Sequence, residues 1–308
     1  MMIDYNYIGC DISKAVLDLY DPRSGKLCRV DNEPLSLKAF AQALAEDSFV
    51  VFEATGSHDR HLRRELSAAH IAYARLNPVM VRRFAQARGK RAKTDQIDAR
   101  TLSQMGAMFK LRAGMAFDEN RERLTALARR RDQLVELRAL ELRHLADTAE
   151  PLAQSDIQSL IADLGTRIAL LDAAIAGHLK SDAGLAEQAQ RLISAPGVGP
   201  VTALTLIAHM PELGQISPKA IASLAGLAPY NNDSGTKQGK RSIRGGRSRV
   251  RRALYMAALG AIRACNRFKT FYTAIAERSG SKKLAIIATA RKLLTALNAM
   301  QRTSQNFA

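Results

Sequence analysis

The chain has 308 residues, of which 47% are hydrophobic, and this is enough for two or three domains with cores of their own. Its 46 Lys and Arg residues outnumber its 29 Asp and Glu residues, which gives a formal net charge of +17. Such an excess is typical of proteins that face a polyanion, so nucleic acid is the expected partner. Three cysteines without paired spacing, no signal-peptide pattern and no long apolar run predict a cytoplasmic protein without disulfides, a zinc knuckle or a membrane segment.

The first part of the chain alternates short apolar segments with helical patterns. Predicted strands cover residues 5–12, 15–20, 26–32, 48–54 and 71–76. Predicted helices cover residues 35–46 and 58–70, a segment opened by Pro78, and residues 95–107. This order predicts a mixed α/β sheet domain over residues 1–115.

The middle and the end of the chain are predicted to be helical. From Ile157 to Ile175 apolar residues recur at alternating steps of four and three, and Pro151 marks a turn before them. Residues 116–184 therefore predict a helical hairpin, either packed within one domain or forming a coiled coil with a second chain. Residues 185–308 predict a mostly helical domain. Its helices at 248–265 and about 282–300 follow a basic, glycine-rich loop at 230–247.

Four acidic residues stand at positions that suit a metal site. Asp11 and Glu53 lie at the ends of two predicted strands, and Asp95 and Asp98 lie three residues apart at the start of a helix. If the strands are neighbours, the four carboxylates meet at one edge of the sheet, where they need Mg²⁺ or Mn²⁺ to offset their repulsion. Two such ions can activate an attacking oxygen at a phosphodiester. Taken alone, each acid is more often a turn residue or a helix cap than a catalytic group.

Motifs at both ends of the chain resemble those of the DEDD-type transposases, a family that includes a pilin-gene inversion recombinase and many insertion-sequence transposases that use a bridge RNA. The segments that carry the resemblance are Ile8-Gly9-Cys10-Asp11, Glu53-Ala54-Thr55-Gly56, Thr94-Asp95-Gln96-Ile97-Asp98, Pro196-Gly197-Val198-Gly199, Gly226-Leu227-Ala228-Pro229 and Asp233-Ser234-Gly235. The resemblance implies an α/β RNase H-like (RuvC-like) N-terminal domain that binds metal through its four acids. It also implies a C-terminal helical transposase domain.

The same resemblance implies that Ser234 is a nucleophile that forms a covalent link with DNA, as in a serine recombinase. The carboxylates of one protomer would activate Ser234 of another, so a dimer or tetramer is expected. A structured non-coding guide RNA would pair with target and donor DNA. From the residues alone, a turn serine beside Gly235 is the favoured interpretation of Ser234, and Ser242 is a competing serine in the same loop.

Two basic stretches predict contact with a nucleic-acid backbone, because glycines allow close approach and few aromatic residues are interleaved. Their residues are Arg88, Lys90, Arg91, Lys93 and Arg100, and Lys237, Lys240, Arg241, Arg244, Arg247 and Arg251. Pro196-Gly197-Val198-Gly199 is either a hairpin whose amides contact phosphate or a plain connection between helices.

We therefore expect a nucleoid-associated, Mg²⁺-dependent DNA transposase or site-specific recombinase that is guided by RNA. Two alternatives remain open. One is a stand-alone nuclease of the junction-resolvase type, which uses the four acids and water. The other is a nucleic-acid-binding protein without catalysis.

Overall fold

The computed structural model describes residues 4–89, 95–231 and 241–307, and the side chains of residues 95–97 are not part of that description. The chain forms two compact units, Met1–Asp118 and Glu119–Ala308. The predicted site residues that lie outside the described residues are Lys90, Arg91, Lys93, Ser234, Lys237 and Lys240. Within the described ranges, no helix is both long and apolar enough to cross a membrane.

The first unit is built on a five-stranded mixed sheet with the strand order β3-β2-β1-β4-β5. The strands are β1 (Asn6–Ile12), β2 (Val16–Tyr20), β3 (Leu27–Asp31), β4 (Ser48–Glu53) and β5 (Ala72–Leu76). Strands β1, β2 and β3 pair antiparallel, whereas β4 pairs parallel with both β1 and β5. All five strands lie where the apolar segments predict them, and the prediction of a mixed sheet combined with many helices is confirmed.

Helices cover both faces of this sheet. They are α1 (Pro34–Ala43), α2 (Arg60–Ala68), α3 (Pro78–Ala87) and α4 (Asp95–Phe109). Because side chains alternate along a strand, Ile8 and Cys10 of β1 pack on one face with Leu37 and Leu62, which lie on α1 and α2. On the opposite face, residues of β1 and β4 pack against Leu102 of α4.

The second unit begins with two long helices, α5 (Glu119–Asp147) and α6 (Pro151–Ser181). They are joined by residues 148–150, and Leu134 of α5 packs against Leu164 and Ile168 of α6. Glu150 starts α6 by accepting a hydrogen bond from the Ala153 amide at 2.7 Å. These helices agree with the predicted hairpin pattern, whereas the division of the chain at residues 115 and 184 stays a prediction.

Six further helices are formed by the described residues of the second unit. They are α7 (Ala183–Ile193), α8 (Pro200–His209), α9 (Pro218–Leu224), α10 (Ser248–Ala264), α11 (Asn266–Ser279) and α12 (Lys282–Thr303), with short strands β6 (Pro229–Tyr230) and β7 (Ser242–Ile243) before α10. One core unites these helices with Leu124 and Ala128 of α5. Helix α10 ends close to the predicted boundary at residue 265, whereas helix α11, which begins directly after Cys265, was not predicted.

Candidate active site and nucleic-acid interface

The sheet brings Asp11 and Glu53 to one edge. Strands β1 and β4 are parallel neighbours in which Cys10 is opposite Phe52, and the next residue of each strand is one of the two acids. Val51 belongs to the core beneath α4, and Glu53, two residues further along, projects to that same face. By the same alternation along β1, the side chain of Asp11 projects to the face of the sheet that α4 covers. Neighbouring strands lie about 4.8 Å apart, so the two carboxylates emerge side by side.

Helix α4 crosses β1 at Gly9, and this contact decides where the other two acids lie. A Cβ atom on Gly9 would lie 1.8 Å from the Ala99 carbonyl oxygen and 2.7 Å from the Ser103 amide nitrogen, so only glycine allows the helix so close. Further along α4, Gly106 faces Tyr7. The helix therefore runs opposite to β1, and its N-terminal turn points towards the Asp11 end of the strand.

That direction places Asp98, which immediately precedes Ala99, and the backbone of Asp95 at the edge that carries Asp11 and Glu53. Among the described side chains, no group of three or more His, Cys, Asp or Glu residues is placed to hold a metal ion. The side chain of Asp95 lies outside that description, so the four-acid site stays a prediction. Its donors are all carboxylate oxygens, and this chemistry fits a hard divalent ion such as Mg²⁺.

A fifth acid, Asp18, lies in β2 directly opposite Asp11 and was missed by the sequence reasoning. Like charges directly opposite each other destabilise a pair of strands. Here Arg29 of β3 offsets the charge by donating from Nε and Nη2 to the two oxygens of Asp18, each at 3.0 Å. The polar residue inside the apolar run Val-Leu-Asp-Leu-Tyr was the available signal.

Cys10 also adjoins Asp11 but does not join the acids. Its side chain is fully buried in the core on the opposite face of the sheet. Burial, together with the charges of Asp11 and Asp18, raises the pKa of the Cys10 thiol well above its ordinary value. The position of Cys10 on that face, rather than its protonation, separates the thiol from the acids.

Asn32 ties together the two loops that follow the strand acids. Its Nδ2 donates to the carbonyl oxygen of Ser13 at 2.9 Å and to that of His58 at 3.1 Å. Ser13 follows β1, and His58 lies in the loop after β4. Among the described residues, the buried atoms Asn32 Oδ1 and Thr55 Oγ1 have no hydrogen-bond partner. Nothing in the sequence around Asn32 distinguishes it from an ordinary turn residue.

The loop after Glu53 is held by a second set of contacts around Asp59, whose side chain is fully buried. Asp59 accepts hydrogen bonds from Nε of Arg63 at 3.0 Å and from Nε of Arg75 at 2.6 Å. Arg75 also donates to the Gly56 carbonyl oxygen at 3.2 Å. These bonds fix the path of the chain between Glu53 and α2.

In the second unit, the two ends of the basic loop are paired. Strands β6 and β7 are antiparallel, with Pro229 opposite Ile243 and Tyr230 opposite Ser242. The segment between them contains Ser234, so both of its ends come to one place, although Ser234 itself lies outside the described residues. On the return side Arg241 and Arg244 are exposed, and the Arg244 guanidinium lies 5.2 Å from the centre of the Tyr230 ring.

Two of the predicted nucleic-acid-binding arginines also anchor the end of this loop. Arg247 donates from both terminal nitrogens to Glu212, each at 2.6 Å, and to the His209 carbonyl oxygen at 2.9 Å. Arg251 donates to the carbonyl oxygens of Gly245 at 2.7 Å and Gly226 at 3.3 Å. Burial would raise the pKa of Glu212, but the hydrogen bonds and charge of Arg247 outweigh that effect and hold it below its ordinary value.

The remaining predicted arginines of the first unit, Arg88 and Arg100, are exposed. The Arg88 guanidinium lies 5.8 Å from the centre of the Phe84 ring, and that of Arg100 lies 5.1 Å from the centre of the Tyr20 ring. Both groups keep a solvent-facing side that fits contact with a phosphate backbone.

His209, at the end of α8, is a partly buried titratable group that was not predicted from the sequence. Burial, followed by the charges of Arg249, Arg129 and Arg247, lowers the pKa of His209 to about 4. The ring is therefore neutral near pH 7, and its Nε2 lies 3.3 Å from a terminal nitrogen of Arg249. Arg249 also pairs with Asp132 of α5 at 2.9 Å, which ties the first turn of α10 to that helix.

The Pro196-Gly197-Val198-Gly199 segment connects α7 to α8. A Cβ atom on Gly197 would lie 2.2 Å from the Ala257 carbonyl oxygen and 2.3 Å from the Ala261 amide nitrogen, both in α10. Gly197 also has a φ of +78°, which favours glycine. Packing between helices therefore accounts for this glycine without a phosphate ligand.

Known protein families match both the N-terminal and the C-terminal part of the chain. A transposase model of the DEDD type found in IS110 elements matches residues 8–150, and the model of the IS116/IS110/IS902 transposase family matches residues 189–273. The pilin gene-inverting proteins of Moraxella bovis and Moraxella lacunata are each 28% identical to the chain, over 98% of its length and 97% of theirs. An uncharacterized 43.6 kDa protein of insertion element IS110 from Streptomyces coelicolor is 35% identical over 36% of the chain and 28% of that protein.

These matches correct one prediction. The assignment to the serine recombinases as a class is wrong, because the model that matches residues 8–150 is that of a transposase defined by its acidic DEDD residues. The matched range contains all four predicted acids.

Proposed function

Because the chain belongs to the DEDD family of transposases and is a DNA transposase or recombinase, we propose an active site that cuts and rejoins DNA. This site is formed by Asp11, Glu53, Asp95 and Asp98. The observation that carries this proposal is the placement of Asp11 and Glu53 on neighbouring parallel strands, with the N-terminus of α4 directed to the same edge. The strand order β3-β2-β1-β4-β5, with its antiparallel and parallel halves, supports an RNase H-like fold for the first unit.

The four carboxylates would hold one or two divalent ions, with Mg²⁺ favoured by the all-oxygen donor set. A bound ion of this kind supplies charge that stabilises the phosphodiester as its bond is exchanged. The chain's own residues hold the loops beside the acids in place. Asn32 holds the loops after β1 and β4 together, and Asp59 fixes the loop that follows Glu53. Exposed Arg88 and Arg100 would contact the DNA backbone beside the acids.

The finer proposal concerns the attacking group, for which we assign the Ser234 hydroxyl. Its oxygen bonds to phosphorus, the bond from phosphorus to one deoxyribose oxygen breaks, and the proton lost by the serine is balanced by one gained by the leaving hydroxyl. The reverse step rejoins the strand without hydrolysis. Support comes from the β6–β7 pairing that brings the ends of this segment together, and from Arg241 and Arg244, which are exposed beside it.

Recombination joins two duplexes, so we propose that the active species is a dimer or tetramer in the cytoplasm, at the nucleoid. We also propose that a structured RNA selects target and donor DNA. The net charge of +17 supports binding of both nucleic acids.

The test is a covalent-trapping assay with Mg²⁺, the element-derived RNA and labelled DNA that spans the element ends. After denaturation, label should remain on the wild-type protein and vanish in Ser234→Ala and Asp11→Asn. The matched control is Ser242→Ala, which alters the competing serine of β7 and should keep the label.

Two other outcomes would contradict the proposal. DNA that is cut without protein-bound label, equally by wild type and Ser234→Ala, would indicate a hydrolytic nuclease of the resolvase type. Binding that persists without any cutting in the presence of Mg²⁺ would indicate a nucleic-acid-binding protein.

A further inference from the structure

A cavity of about 340 Å³ lies beside the end of the basic loop in the second unit. Six residues of β7, α10 and α12 line it: Ile243, Arg251, Arg252, Tyr255, Lys283 and Ile287. Its volume lies within the range of about 300–1,000 Å³ that small ligands occupy in proteins. None of the functions proposed above uses this cavity.

The charges around the cavity have one sign. Three of the six lining residues are cationic, and none is acidic. The two helices that form most of its wall, α10 and α12, contain no Asp or Glu over their whole length. The acid that pairs with the rim is Glu136 of α5, at 3.6 Å from Arg252, and both of these side chains are more than 60% exposed. Because that exposed pair is weak, an anion entering the cavity meets a net positive charge.

The walls of the cavity are apolar, in contrast to its rim. Tyr255 and Ile287 are half-buried and pack against the core of the unit, so their positions are fixed. Arg251 is held by two backbone carbonyls through one terminal nitrogen, and its guanidinium has further N–H groups to offer. An aromatic ring, two isoleucines and three cations match the two parts of a nucleotide, which are a flat apolar base and a phosphate.

A duplex cannot fill such a recess, because its bases are stacked inside and it presents only its backbone. A single base can enter it when the base is unpaired or turned out of the stack. We propose that this cavity binds one unpaired nucleotide of DNA or RNA, with the base against Tyr255 and Ile287 and the adjoining phosphates on Arg251, Arg252 and Lys283. This inference rests on the proposed function only in taking nucleic acid as the ligand.

The experiment measures binding without catalysis, by fluorescence anisotropy of labelled 12-nucleotide single strands of DNA and of RNA and of the matching DNA duplex. Tyr255→Ala should weaken binding of a single strand about tenfold, as expected for the loss of one base–aromatic stack, and leave duplex binding within twofold. Tyr255→Phe keeps the ring and should bind like the wild type. Loss of affinity for only one of the two single strands identifies whether DNA or RNA supplies the nucleotide.

Lys283→Ala tests the phosphate contact, with Lys282→Ala as its matched control because Lys282 is exposed on the same turn but does not line the cavity. Lys283→Ala should lower the salt dependence of single-strand binding by about one phosphate contact, and Lys282→Ala should lower it less. Equal effects of the two lysines would contradict the assignment of the phosphate position.

A measurement on the wild-type chain keeps the proposal testable if Tyr255→Ala does not fold. A 12-nucleotide strand with one 5-iodouracil base should cross-link, under ultraviolet light, to the peptide that contains Tyr255. Cross-links that map only elsewhere, or a Tyr255→Ala variant that folds and weakens duplex and single strand equally, would overturn the proposal. Neither result depends on Asp11 or Ser234, so failure here is distinct from failure of the cleavage mechanism.

Discussion

Replacing Gly9 by alanine should separate α4 from β1 and thereby disturb the acidic edge. The added Cβ would lie 1.8 Å from the Ala99 carbonyl oxygen, so the helix must move by about 1.2 Å before that contact reaches 3.0 Å. The obstructing atoms belong to the backbone and cannot turn away as a side chain can. We expect a loss of about 3 kcal/mol in the free energy of unfolding, at the upper end of the usual cost of overpacking.

The same displacement should also slow DNA cleavage, because Asp98 precedes the residue that is pushed away. A misplacement of about 1 Å at a catalytic group can cost about 100-fold in rate. The unfolding free energy is measured by urea titration, and the rate is measured with labelled DNA and saturating Mg²⁺ at a temperature where the variant is folded. The matched control is Gly165→Ala in α6, where no atom lies within 4 Å of the new Cβ. That change should stabilise the chain by about 0.5–1 kcal/mol and leave cleavage unaltered.

If Gly9→Ala were as stable as the wild type and cut DNA at the same rate, α4 would not be seated on β1 at Gly9. The reasoning that brings Asp95 and Asp98 to the Asp11 edge would then fail. A loss of stability with an unchanged rate would break only the second step, from helix position to chemistry.

Three other changes have outcomes that follow from single contacts. Asn32→Ala removes two hydrogen bonds and should cost about 1–2 kcal/mol in urea titration and slow DNA cleavage; normal cleavage would rule out a positioning role. Asp59→Ala leaves two arginines without their buried partner and should cost about 3 kcal/mol, so an unchanged urea midpoint would refute the assignment. The folded-state pKa of His209, about 4, lies below its ordinary 6.5, so the unfolded chain binds the proton more readily and stability falls as pH drops through that interval. Wild type should lose about 2 kcal/mol more than His209→Gln between pH 7 and pH 4.5, and parallel losses would contradict a partly buried, neutral ring.

The sheet was predictable because its signals are local. Apolar runs such as residues 48–54, bounded by turn residues, are long enough to show strand periodicity, and Pro78 and Pro151 mark helix starts. Strands β6 and β7 have two residues each and carry no periodic signal. Helix α11 was not predicted, although the end of the preceding helix was expected at residue 265, where α10 meets α11.

The acids of the candidate site were predictable from the sequence, whereas the residues that hold the surrounding loops in place were not. Asp11 and Glu53 end predicted strands, so their meeting requires only that β1 and β4 be neighbours. Asn32, Asp59 and His209 each depend on at least one partner that lies 16 or more residues away in the chain, and such pairings are set by tertiary packing. Gly9 belongs to the Ile8-Gly9-Cys10-Asp11 motif. The need for glycine at this position, which comes from the close approach of α4, is visible only in the folded chain.

The β6–β7 pairing has a consequence for exchanging parts between relatives. Because Tyr230 and Ser242 are opposite each other, the segment between them enters and leaves the domain at one point. Pro229-Tyr230 and Ser242-Ile243 are therefore the two junctions at which we expect the segment that contains Ser234 to be exchangeable between relatives.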